Sequence, residues 1–153
     1  MKHLLICLVV LLGVTSISAQ TRRTQNAELK IGTINNKGGE YLEGCGCYFS
    51  AGRNSESNIF LADIDGLEGR QAWININGRV TALKFVSSTR NQRLKKGSSY
   101  VETYRSGNVT ARVTYVVTTP NRPGGEVTKY AATVVVTKGN SSKTFKAVGE
   151  CGC

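Results

Sequence analysis

Ala72-Trp73-Ile74-Asn75-Ile76-Asn77-Gly78-Arg79-Val80-Thr81-Ala82-Leu83-Lys84-Phe85 reads as two strands of period two joined by Asn-Gly. A two-residue type I′ turn needs positive φ at both central positions, and Asn and Gly tolerate it best, so the segment predicts a β-hairpin. In that register Ala72, Ile74, Ile76, Leu83 and Phe85 share one face, which is expected to meet the core. The same alternation recurs on either side. Upstream, Tyr41 to Phe49 is one strand candidate and Asn58-Ile59-Phe60-Leu61-Ala62 another, closed by Asp63-Ile64-Asp65-Gly66. Downstream, Tyr100 to Tyr104 is followed by Ser106-Gly107-Asn108, which turns the chain into Val109 to Val117. There Val109, Ala111, Val113, Tyr115 and Val117 are expected inward. A long strand from Val127 to Thr137 then turns at Gly139-Asn140-Ser141 into Lys143 to Cys151, where Phe145, Ala147, Gly149 and Cys151 share a face. Ser87 to Ser98 reads as a long basic loop. No segment carries a 3.6-residue apolar period longer than two turns. The expectation is an all-β chain of seven to nine antiparallel strands, mostly in hairpins, forming a small barrel or a sandwich.

Two copies of Cys-Gly-Cys bracket this region: Cys45-Gly46-Cys47 and Cys151-Gly152-Cys153. Residues i and i+2 of a strand point to one face, so adjacent strands carrying the two tripeptides would gather four sulfurs. They would form two disulfides in either pairing, a four-thiolate site for Zn²⁺ or Cu(I), or a redox-active pair. The one-residue spacer is unusual for zinc, and Glu43 and Glu150 disfavour a reactive thiolate. Two disulfides are therefore the leading expectation.

The start of the chain predicts the compartment. Met1-Lys2-His3 is basic, Leu4 to Val14 is apolar, and small residues run to Ala19, which together read as a secretory signal peptide over residues 1–19. An apolar run of about 11 residues is too short to span a bilayer, which needs about 20. Cleavage would remove Cys7, leaving the even number of cysteines expected of a disulfide framework in an oxidising compartment. It would also remove His3, the one histidine of the 153 residues. That excludes Ser-His-Asp and Cys-His nucleophilic sites and imidazole metal ligands in the mature chain. Residues 20–38 read as a polar tail holding one short alternation, Leu29/Ile31, and residues 39–153 as one β domain.

Twenty Lys and Arg stand against ten Asp and Glu, a formal net charge of +10. Between Glu68 and Glu102 there is no acid. Such a stretch suggests an anionic glycan or envelope protein as partner, through Arg79, Lys84, Arg90, Arg93, Lys95 and Lys96. Trp73, or Tyr100 with Tyr104, would add stacking. Export argues against nucleic acid. No catalytic constellation stands out: Asp63-Ile64-Asp65-Gly66 is too short for a calcium loop, and no carboxylate spacing recommends glycoside hydrolysis. The reading is an exported, monomeric, non-catalytic binding domain without a membrane span, located in the periplasm or outside the cell. A Cys₄ metal-binding protein is the alternative.

Phe60-Leu61-Ala62-Asp63-Ile64-Asp65-Gly66, Ala72 to Gly78 and the terminal Lys146-Ala147-Val148-Gly149-Glu150-Cys151-Gly152-Cys153 resemble a group of small secreted bacterial proteins of uncharacterised activity. The resemblance implies export and a β architecture and no particular activity. The aromatic-led strand, the Asp and the Ala-x-Ile-x-Ile-x-Gly pattern are also faintly similar to the membrane-bound lysozyme inhibitors, small disulfide-stapled β-barrels. The lipid-anchor motif and inhibitory loop of that family are not present here.

Overall fold

A computed structural model describes residues 28–52, 57–64, 69–90, 94–121 and 125–153. The leader assigned to residues 1–19, and Arg93, lie outside them. Nine strands follow in order: β1 (Ile31–Gly32), β2 (Gly46–Ser50), β3 (Asn58–Asp63), β4 (Gln71–Ile76), β5 (Arg79–Ser88), β6 (Ser99–Ser106), β7 (Val109–Thr119), β8 (Val127–Lys138) and β9 (Ser141–Gly152). Strands β2 to β9 pair each with the next, and β9 returns to pair with β2, closing an eight-stranded antiparallel up-and-down barrel. Closure resolves the choice between barrel and sandwich. The short β1 pairs with β4 at Ile76 and Asn75, beyond the residues that β4 shares with β3.

The Asn-Gly hairpin forms as expected. Asn77 and Gly78 have φ of 53° and 85°, and Ala72 sits opposite Leu83. Asn77 also holds β1: Lys30 N–H donates to Asn77 Oδ1 at 2.9 Å, and Asn77 N–H donates to the Lys30 carbonyl at 2.8 Å. The tight β4–β5, β6–β7 and β8–β9 turns crowd one end of the barrel. The ends of β3, β5, β7 and β9 lie at the other, with the start of β2.

All the predicted inward residues of β4, β7 and β9 belong to or pack against one interior cluster, apart from Gly149, which has no side chain. An eight-stranded barrel has an interior just wide enough for side chains to fill. Here aromatic rings fill much of it. Tyr100 stacks on Tyr115 with centroids 4.7 Å apart, Phe49 lies 5.6 Å from Tyr115, and Phe60 meets Tyr104 edge-on at 5.9 Å.

The chain before β2 is part of the fold. Leu29 is buried in the interior cluster, and Ile34 and Leu42 are buried on the outside of the barrel against Leu61. Tyr41, Tyr48, Trp73 and Val80 pack around that second cluster. Asn36 holds this strap: its Oδ1 accepts from the Tyr41 and Leu42 N–H groups, and its Nδ2 donates to the Leu42 carbonyl.

Candidate functional site: an acid-free outer face

The four cysteines close the barrel. Cys47 lies opposite Cys151 in the β2–β9 register and bonds to it, and Cys45 bonds to Cys153. The glycine between each pair is there for close approach. A Cβ on Gly46 would stand 2.4 Å from the Leu42 side chain, and one on Gly152 would stand 2.2 Å from the Glu126 carbonyl oxygen. With all four sulfurs in disulfides, no thiolate is left for Zn²⁺ or Cu(I), so the Cys₄ metal reading gives way to the disulfide reading. Among the described residues no group of three or more His, Cys, Asp or Glu is placed to hold a metal.

Inside the barrel, alternation along β6 puts a carboxylate between two tyrosines. Glu102 is 3% exposed and lies between Tyr100 and Tyr104. Arg70 Nη2 donates to its two oxygens at 3.2 and 3.3 Å, and Tyr104 Oη donates to Oε2 at 2.5 Å. The Arg70 guanidinium also lies 4.5 Å over the Phe85 ring. Burial acts to lower the Arg70 pKa, but the Glu102 carboxylate, together with the Tyr104 and Tyr115 phenols, shifts the balance upward, so the guanidinium stays charged. Burial pushes Tyr100, Tyr104 and Tyr115 above the ordinary phenol value of 10.0; Tyr130 adds to the shift at Tyr100, Glu102 at Tyr104, and Tyr104 at Tyr115. Loss of either partner would leave the other charge buried and uncompensated, so the pair is held in the core. The cluster reads as structural.

The outside of β5 to β9 is different. Its outward residues line up across neighbouring strands in rows. One row runs Lys84, Arg105, Thr110, Thr137, Ser142. The next runs Thr103, Arg112, Val135, Thr144, and the third runs Val101, Thr114, Thr133, Lys146. These rows hold hydroxyls, small apolar groups and four cations, and no carboxylate. Glu150 is the first outward acid, lower on β9 and opposite Lys129. Among the described residues the ion pairs are Arg70–Glu102 and Lys143–Glu28, so none of the four cations in these rows is paired with a described acid. Lys84 and Arg105 stand directly opposite each other, an arrangement that costs stability between like charges. A groove of about 910 Å³ adjoins the face, lined among others by Tyr48, Ser50, Lys96, Lys129, Val148 and Glu150.

The basic set expected from the sequence is divided by this geometry. Lys84 joins Arg105 on the outer face. Arg90, Lys95 and Lys96 are exposed at the end where β5 finishes, Arg90 standing 5.7 Å over the Tyr100 ring. Arg79 is exposed beside the Asn77-Gly78 turn at the opposite end of β5, roughly 30 Å away at about 3.3 Å per residue. Trp73 is half-buried under the strap, and Tyr100 and Tyr104 are buried inside the barrel, so none of the three stands free as a stacking platform. Arg105, Arg112 and Lys146 were not anticipated. The signal was present: alternation turns them outward, and the Ser106-Gly107-Asn108 turn brings Arg105 opposite Thr110. No protein-family model, curated protein or solved structure matches the chain.

Proposed function

We propose that this disulfide-closed barrel is an exported, non-catalytic binding module for an anionic envelope glycan, which it engages through the outer face of β5 to β9. One observation carries the proposal: three successive cross-strand rows combine cations with hydroxyls and hold no carboxylate. Clustered cations attract a polyanion, and threonine and serine hydroxyls can hydrogen-bond its sugars and charged groups. The tight disulfide seam supports residence in an oxidising compartment, in line with the basic and apolar leader. Closure supports a monomer, because a barrel offers no long open sheet edge for a second copy.

The test is retention of the oxidised protein on immobilised anionic polysaccharide, against a neutral polysaccharide of the same backbone. Strong retention at about 20 mM salt that weakens steeply toward about 0.5 M is the expected result, since screening at the higher salt shortens the reach of exposed charges to a few ångströms. Absence of retention at the lower salt would overturn the proposal.

A further inference from the structure

Within the outer face, one small arrangement has a geometry of its own. Arg105 lies opposite Thr110 and Thr103 lies opposite Arg112, so two guanidiniums and two hydroxyls form a checkerboard over β6 and β7, with Lys84 beside Arg105 on β5. Arg105, Arg112 and Lys84 are exposed, and the two threonines are half-buried. On neighbouring strands directly opposed Cβ atoms are about 5 Å apart and diagonal ones about 7 to 8 Å. The two guanidiniums sit on the diagonal, close enough to address one charged group and its immediate neighbourhood.

We infer that this checkerboard is a recognition site for an oxoanion ester carried on a glycan, a sulfate or phosphate group with three terminal oxygens, in preference to a sugar carboxylate. The inference rests on the anionic-glycan reading above and narrows it. A guanidinium presents a planar fork that meets two oxygens at once, and an ammonium is a point charge without that geometry. A carboxylate offers two oxygens in one plane, and one fork takes its open edge. The second fork and the two hydroxyls are then left only the remaining lone pairs in that plane. An ester with three terminal oxygens accepts from one fork and still offers an oxygen to Thr103 or Thr110 and to the second arginine. Lys84 adds charge without direction.

The experiment compares dextran sulfate, phosphorylated dextran and polygalacturonate of matched charge density for binding to the oxidised full chain across a salt series. Three proteins are used: the parent, R105A/R112A and R105K/R112K. The positions are exposed, so thermal unfolding that matches the parent confirms the fold of each variant. One or both ester polymers are expected to bind at least about tenfold tighter than polygalacturonate, and R105A/R112A to remove that preference. The alanine pair should also flatten the slope of log affinity against log salt by roughly two counterions. R105K/R112K is expected to keep the salt slope and lose the preference, because it keeps charge without the fork. The two ester arms distinguish sulfate from phosphate. Equal binding of esters and carboxylate, or a preference that survives R105A/R112A, overturns this inference and leaves the glycan reading standing. If no polymer binds at low salt, the glycan reading itself falls.

Discussion

Removing the disulfides one at a time and together should give costs that are far from additive. The two bridges span sequence separations of 108 and 104 residues, so in the chain-entropy account either alone closes a loop worth about 4.7 kcal/mol. With one bridge in place the other closes only the small ring formed by residues 45–47 and 151–153. The same relation gives that second closure about 2 kcal/mol. C45A/C153A and C47A/C151A should therefore each cost about 2 kcal/mol, and the quadruple variant about 6.7, leaving a coupling of about 2.7 kcal/mol. Cys47 and Cys151 are buried at 3% and 7%, so their replacement also loses packing. That loss enters the single and the combined variant alike and cancels from the coupling. The assay is urea unfolding of all four proteins, monitored by Trp73 fluorescence and by circular dichroism, with two-state behaviour checked by coincidence of the probes. Additive costs, with a coupling below about 0.5 kcal/mol, would refute the nested-loop reasoning.

Four further outcomes follow from the interior and the strap. Replacing Glu102 with Leu strands the Arg70 guanidinium and should cost about 3 kcal/mol or more in urea unfolding. Y104F removes a donor to Glu102 and should cost about 1 to 2 kcal/mol. Stability should also fall at high pH. The unfolded chain releases phenolic protons near pH 10 while Tyr100, Tyr104 and Tyr115 retain theirs in the fold. Stability is therefore full below about pH 10 and declines above it by up to about 1.4 kcal/mol per pH unit for each tyrosine. Unfolding midpoints flat from about pH 9 to about pH 12 would contradict that burial. Finally, L42A should cost about 2 to 4 kcal/mol and shift Trp73 emission to the red as the strap loosens; unchanged emission would mean that the strap does not cover the indole.

Much of this architecture is local and was readable. Asn77-Gly78 specified its hairpin, and the alternation on β7 put Val109 to Val117 inward residue by residue. Closure was not readable, because it depends on the register between β2 and β9, about a hundred residues apart, which no local pattern carries. The paired Cys-Gly-Cys marked which strands meet there without deciding barrel against sandwich. Trp73 was expected to add stacking, which needs a free indole face. A continuous apolar run, Ile59 to Ala62, was the sign that β3 is buried on both faces, and the strap supplies the second cover. The basic residues from Arg79 to Lys96 are close along the chain and far apart in space, because an extended strand separates its ends. Proximity across strands decides which cations act together, and it joins Lys84 to Arg105 and Arg112.

Backbone amide chemical shifts recorded during titration with an anionic polysaccharide test the central claim most directly. The account predicts shifts concentrated on the outward positions of β5 to β7, led by Lys84, Thr103, Arg105, Thr110 and Arg112, with β3 and β4 under the strap unmoved. Shifts confined to Arg90, Lys95 and Lys96 at the barrel end, or to the strap and Trp73, would contradict it.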